Sequence, residues 1–312
     1  MEYVRFNQKY EYEIVRLWNK CCTFDPICIE RFRKQALYDD NFDCDLCWIA
    51  LDDKKPVGFV LATKRKIPYL ERGLEPDKGW INVIFVDPEY QNRGIGERLY
   101  GIVEAKLKKL GVRTIILAAY SPNYFFGGVD EINYPEAASF FLKMGYKRGE
   151  RHYSMGKDIS DFSYSQQVIE KKETAEKEGY RFIHFKNEYS IELLEFLKRE
   201  FDSGWKRNAL IAMKKGIAED VILLMVNKEN SICGFSMSAI DDNPKRFGPI
   251  GVAKSIRDKG YGSVLLEYSL NEMKERGIDS IFFMTTDERG KNFYERNGFY
   301  TIRNMVGYSK NI

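Results

Sequence analysis

The chain has 312 residues, more than one ordinary domain needs and enough for two cores. Hydrophobic residues make up 44% and charged residues 30%, and 49 basic residues against 46 acidic ones leave a net charge of only +3, so nothing points to a nucleic-acid or anionic-membrane binder. No apolar run approaches a membrane span (the longest aliphatic stretch is 221–226), and Met1-Glu2-Tyr3-Val4-Arg5 lacks the apolar core of a secretion signal, which sets the expectation of a cytoplasmic protein.

In chain order, a short strand is predicted at 4–6, helices at 11–21 and 30–37, and a hairpin from 47–51 and 56–62 turned at Asp52-Asp53-Lys54-Lys55. An apolar strand at 81–86 follows, then a glycine-spaced turn and an amphipathic helix over 96–110. That helix has Leu99, Ile102, Val103, Leu107 and Leu110 at helical spacing and Gly111 as its C-terminal cap. A strand at 113–118 and a helix at 135–143 close the half. Residues 161–179 carry mixed-sign charge and read as an exposed helical connector. The order then repeats: strand 180–184, helices 191–201 and 206–215, hairpin 221–227 and 232–239, strand 249–252, helix 262–275, strand 280–285 and helix 291–296.

The two halves align at constant offsets, so the chain reads as a duplication. Gln91-Asn92-Arg93-Gly94-Ile95-Gly96 matches Arg257-Asp258-Lys259-Gly260-Tyr261-Gly262. Phe140-Phe141-Leu142-Lys143-Met144-Gly145-Tyr146 matches Phe293-Tyr294-Glu295-Arg296-Asn297-Gly298-Phe299. The first half carries two extra pieces, within 63–80 and within 120–133. The second is aromatic and glycine-rich and is expected to pack between the copies rather than to cover a site. Domains are therefore expected at 1–160 and 179–312, with a charged linker at 161–178.

Cysteines 21, 22, 28, 44 and 47 crowd the first half, with Cys233 the sixth. They lack a second close Cys-x-x-Cys pair, and with only two histidines no metal is expected. Each glycine turn opens a helix, where unpaired backbone N–H groups meet the positive end of the helix dipole. That is chemistry suited to a phosphate.

The order of elements, the [Gln/Arg]-x-x-Gly-x-Gly turn after a hairpin and a strand, and the later Phe-Tyr-Glu-Arg-Asn-Gly-Phe segment together resemble the Gcn5-related N-acetyltransferase (GNAT) family, in two tandem copies over essentially the whole chain. The tandem layout also resembles the bacterial glucosaminide N-acetyltransferases and, more distantly, mycothiol synthase. The resemblance implies a mixed α/β fold and acetyl-CoA as donor. Gln91, Asn92, Arg93, Gly94, Ile95 and Gly96, and Arg257, Asp258, Lys259, Gly260, Tyr261 and Gly262, would hold the CoA pyrophosphate. Ile84 and Val86, and Ile250 and Val252, would pair with the pantetheine arm. Tyr294 would protonate the leaving thiolate. Its counterpart Phe141 has no proton to give, so the second half is expected to be catalytic and the first reduced to cofactor binding or support.

Asp287 stands where the family often has Asn, and could serve as a base through water; Asp241 and Asp242 are rivals. The acceptor is expected to meet Asp202, Trp205 and Asp241, an aromatic plane beside carboxylates that suits an aminosugar. The expected activity is N-acetylation of a small primary amine, glucosamine or a glucosaminide first, by a monomer or homodimer. An aminoacyl or peptide amine, and a CoA-binding module without turnover, are the other readings.

Overall fold

The computed structural model describes residues 1–201 and 203–312. By contacts the chain divides into two units, Met1–His152 with Arg303–Ile312, and Tyr153–Ile302.

The first unit runs β1 (Glu2–Arg5), α1 (Glu11–Cys21), α2 (Ile29–Phe32, continuing as a π-helical turn Arg33–Leu37), β2 (Cys47–Asp52), β3 (Lys55–Thr63), β4 (Lys78–Val86), α3 (Ile95–Lys109), β5 (Thr114–Leu117), α4 (Pro135–Lys143) and the start of β6 (Lys147–Asp158). Neighbours pair antiparallel from β1 to β4, and β4 pairs parallel with β5. Asp53 and Lys54 turn the β2–β3 hairpin with φ of 44° and 68°, the left-handed values a tight hairpin needs. Nearly every residue of β3 is buried because helices cover both faces of the strand. Leu99, Val103 and Leu107 of α3 pack on one face with Val57, Val60 and Ile81, while Ile14, Trp18 and Phe32 pack on the other with Phe59, Val83 and Phe85.

The second unit follows the same plan with α5 (Gln166–Lys177), β7 (Arg181–His184), α6 (Ser190–Glu200), α7 (Ser203–Lys214), α8 (Ala218–Val221), β8 (Ile222–Val226), β9 (Ile232–Met237), β10 (Ile250–Val252), α9 (Tyr261–Glu275), β11 (Ser280–Thr286), α10 (Glu288–Arg296) and the start of β12 (Tyr300–Asn311). Its main sheet has the order β10-β9-β8-β7, antiparallel throughout. α5 is the helix expected between the halves. It is capped by Ser165, whose Oγ accepts from the Val168 N–H at 3.2 Å. Val168 and Ala175 are nevertheless buried, and Glu267 of α9 accepts from both the N–H and the hydroxyl of Ser165 at 2.8 Å. The segment therefore packs into the second unit rather than standing as a solvated linker.

The unit boundaries also depart from the contiguous halves expected at 160 and 179. β12 pairs antiparallel with β5, with Ser309 opposite Ile116 and Asn311 opposite Thr114. It buries Val306 and Tyr308 in the first unit's core. In return, Tyr153–Asp158 of β6 pairs with β11, Met155 opposite Phe283, and Tyr153 and Met155 enter the second unit's core. Each unit is thus finished by a strand from the other half of the sequence. Strand pairing is made by backbone groups, so the pattern of side chains predicts a strand but not its partner.

The extra piece at 120–133 packs inside the first unit. Phe125 and Phe126 lie on Trp18 at 4.8 and 5.8 Å between ring centres. Among the described residues no helix is long and apolar enough to cross a membrane.

Candidate functional site

The two glycine turns have one backbone conformation. Asn92 and Gly94 have φ of 58° and 74°; Asp258 and Gly260 have 68° and 84°. Left-handed values at the residue just before a helix favour glycine, since a Cβ there crowds the backbone. The side chains repeat too. Gln91 Nε2 donates to Val86 O at 3.2 Å, and Arg257 Nε donates to Val252 O at 3.5 Å. Each bond ties the turn to the end of the preceding strand. No side chain caps α3 or α9, so their first N–H groups stay open to an incoming anion. Gly96 and Gly262 lie against Phe140 and Phe293, where an added Cβ would sit 3.6 and 3.7 Å from the ring. Lys171 of α5 lies over Gly260, its Nζ 2.7 Å from where a Cβ would be, and brings a cation to the second turn.

Beside each turn two strands fork. β4 and β5 pair only from Lys78 to Ile81, ending where the Ala118 N–H donates to Ile81 O at 2.8 Å. The rest of β4, with Ile84 and Val86, lines a cavity of about 700 Å³ together with Gln91, Gly94 and Gly96. In the second unit Phe247 N–H donates to Phe282 O at 2.9 Å and Phe282 N–H to Lys245 O at 3.1 Å. β10, with Ile250 and Val252, then continues with β9 as its partner. A free strand edge beside uncapped helix N–H groups can hold an extended chain with amides and a phosphate at its end.

Tyr294 is buried among Phe283, Phe293 and Phe299, with ring centres 4.3, 5.1 and 5.1 Å away. Burial pushes its phenol up, so it keeps its proton at any working pH. Phe141 sits in the matching place of the first unit, 5.3 Å from Tyr146. Asp287 is the N-cap of α10, one oxygen accepting from the Gly290 N–H at 2.7 Å, and is exposed. Trp205 stacks on Phe201 at 4.4 Å, and an added Cβ at Gly251 of β10 would lie 3.2 Å from its ring. That packing anchors α7 to the sheet. Asp241 has a positive φ and is paired with Arg246 and, at 4.0 Å, Arg207. Asp242 is paired with Lys215. Asp202 lies outside the described residues.

A polar cluster on the cavity wall of the first unit has no counterpart among the sequence motifs. Arg303 of β12 donates to both oxygens of Asp25 at 3.0 Å and to Asp130 Oδ2 at 2.5 Å. The Tyr134 hydroxyl donates to Asp25 at 2.8 Å. Burial would raise the Asp130 carboxyl, but bonds from Asn133 and Arg303 outweigh it and hold the group below its usual range. Asp25 and Arg303 are joined only by the strand exchange. Cys21 and Cys22 also line the cavity; burial raises both thiols, Cys21 to about 12, so neither is a ready nucleophile.

Residues 12–125 and 190–299 match the sequence model of the Acetyltransferase (GNAT) family. A mycothiol acetyltransferase from Propionibacterium freudenreichii subsp. shermanii is 26% identical over 145 residues, 42% of this chain and 46% of that one, so the match spans about half of the relative's length. A GCN5-related glucosamine N-acetyltransferase region in a fungal multi-domain GH3 β-N-acetylglucosaminidase aligns with a TM-score of 0.81 at 19% identity, over 99% of this chain and 38% of that one. A tandem GNAT protein from the clavulanic acid biosynthesis pathway aligns with a TM-score of 0.65 at 15% identity, over 99% of this chain and 98% of that one. At such identities the structural likeness is one of fold.

Proposed function

Because this chain belongs to the GNAT acetyltransferase family, we propose that it is an acetyl-CoA-dependent N-acetyltransferase acting on a small primary amine, with glucosamine or a glucosaminide as the first candidate. One observation carries the reading: a forked strand runs into an uncapped helix through a turn with two left-handed residues, and this is built twice. The amides of Gln91 to Gly96, and of Arg257 to Gly262, suit a pyrophosphate. The free edges at Ile84 and Val86, and at Ile250 and Val252, suit the amides of a pantetheine arm. Acetyl-CoA supplies an activated acyl group as a thioester.

Direct transfer forms a C–N bond and breaks a C–S bond. The amine must lose a proton and the leaving thiolate must gain one. Tyr294 is our choice of acid. Its phenol is protonated, and no hydrogen bond engages its hydroxyl among the described residues. Asp287 is our choice of base, acting through water with the carboxylate oxygen that does not cap α10. Asp202, Trp205 and Asp241 remain our choice for contacts to the acceptor, with the ion pairs of Asp241 available for exchange to an ammonium. The second unit is therefore the proposed catalytic one, and the first binds CoA in support.

A thiol-release assay tests this, with acetyl-CoA and a panel of glucosamine, aminoglycosides, polyamines and amino acids. Release with at least one amine is expected. CoA binding without release for every amine leaves only a binding module.

A further inference from the structure

A buried arginine of the first unit has no role in the chemistry proposed for the chain. Arg65 stands just after β3, in the extra piece within 63–80 that the second half lacks. Its side chain is 1% exposed. Its Nε donates to Glu75 at 3.0 Å, and Glu75 also pairs with Lys78 at 2.8 Å. Its Nη1 has no hydrogen-bond partner among the described residues. Three aromatic rings stand around the guanidinium instead, with the centres of Trp80, Tyr120 and Tyr69 at 4.8, 4.9 and 5.0 Å. A buried cation with one carboxylate seldom raises stability over an apolar side chain of its size, so a role in fixing its neighbours fits it better.

Two of those rings belong to the fork of β4 and β5. Trp80 lies opposite Ile116, one residue before the last pair of the two strands, Ile81 with Leu117. Tyr120 comes three residues after that pair, and its ring is 5.3 Å from that of Trp80. Between Leu117 and Tyr120, Ala118 and Ala119 have φ of 52° and 50°. Two successive left-handed residues with side chains are costly and persist only where the surroundings hold them. Here the Ala119 N–H donates to Phe126 O at 2.8 Å. The Tyr120 hydroxyl accepts from Asn41 Nδ2 at 2.9 Å and donates to Asp39 at 3.0 Å. Asn41 Oδ1 in turn accepts from the N–H groups of Lys66 and Ile67, beside Arg65, at 2.7 and 2.8 Å. Ile81, Leu117, Ala118 and Phe126 all line the cavity. The left-handed pair thus turns the chain off β4 at the cavity wall.

The second unit is built otherwise. Counted from Gly111 and Gly277, Ala118 and Ala119 correspond to Met284 and Thr285. There β11 runs on to Thr286, and neither residue has a positive φ. The left-handed pair and the arginine behind it are both properties of the first unit.

We propose that Arg65 is a positioning residue for the cavity of the first unit: packed on Trp80 and Tyr120, it holds the chain after β5 away from β4 and so keeps the cavity open to an extended ligand. The choice of CoA as that ligand rests on the acetyltransferase reading. Arg65 itself does not line the cavity and acts through Trp80, Tyr120 and Ala118.

The test is calorimetric titration of the full chain with CoA in a Gly260→Val background, where the remaining site is that of the first unit. Arg65→Met keeps the length of the side chain and deletes its charge. Ile14→Ala truncates a fully buried core residue of the first unit that does not line the cavity, and controls for a general loss of stability. Each chain is titrated well below its own melting temperature. Arg65→Met should weaken CoA about 10-fold to 100-fold, as a site misplaced by about 1 Å does. Arg65→Lys, which keeps the charge without the planar face, should weaken it less, and carries the comparison where Arg65→Met does not fold. Ile14→Ala should bind CoA as the background does. The proposal is overturned if the Arg65 variants bind CoA as the background does, or if Ile14→Ala weakens CoA as much at an equal or smaller drop in melting temperature. No CoA binding by the Gly260→Val chain would also overturn it, by removing the site that Arg65 shapes. Failure of the acetyltransferase reading is distinct and would appear as absent thiol release in the wild type.

Discussion

Replacing Tyr308 with alanine removes a ring that is 2% exposed in the core of the first unit, together with its hydroxyl bond to Glu131. Truncating a buried aromatic of this size costs about 3–5 kcal/mol. The loss should fall on the first unit although Tyr308 belongs to the last strand of the sequence. Hydrogen exchange resolved by peptide reads the two units separately. Amides of β3 and β4 should open about a hundredfold to several thousandfold more often, at about 1.4 kcal/mol per decade. Those of β8 and β9 should open much less. Met155→Ala is the reciprocal case: a fully buried side chain from the first half of the chain, set in the second unit's core. Its truncation costs about 2–5 kcal/mol and should expose β11 and α9 first, since Phe283, Leu266 and Leu270 are its core neighbours. If Tyr308→Ala opened β8 and β9 first while β3 and β4 stayed protected, the strand exchange would be wrong.

Two further outcomes concern the chemistry. Tyr294→Phe should lower kcat by about 10²–10⁴-fold, the usual contribution of a placed acid, while Phe141→Tyr changes it little; a Tyr294→Phe rate near wild type would remove the acid assignment. Gly94→Val and Gly260→Val each force a branched side chain onto a left-handed backbone, at φ of 74° and 84°, and should each delete one CoA from the calorimetric stoichiometry. An unchanged CoA count in both variants would contradict the role of the turns.

Much of the fold could be read from the residues because local signals agreed with one another. α1 spans Glu11–Cys21 and α4 spans Pro135–Lys143, the predicted bounds in both cases. α10 begins at Glu288, three residues before the expected start, because Asp287 caps it. An Asp ahead of a helical run is a capping signal in the sequence, and the same residue also reads there as a candidate base. What could not be read depends on partners far apart in sequence. Tyr300–Asn311 forms the last strand, and nothing in its side-chain pattern names β5 as its neighbour. The Asp25–Arg303–Asp130 cluster follows from that pairing and was equally hidden. Phe125 and Phe126 of the extra piece read as interface residues from composition, whereas they pack on Trp18 within their own unit.

The proposed reaction passes an acetyl group from CoA to an amine. The most direct measurement supplies acetyl-CoA labelled in the acetyl group and glucosamine, then follows the label by mass spectrometry over a single turnover. Label is expected in an amide on the sugar nitrogen, with free CoA released in equal amount and no labelled protein between. Label that stays on CoA with glucosamine and with every other amine of the panel, while CoA itself binds, would contradict it.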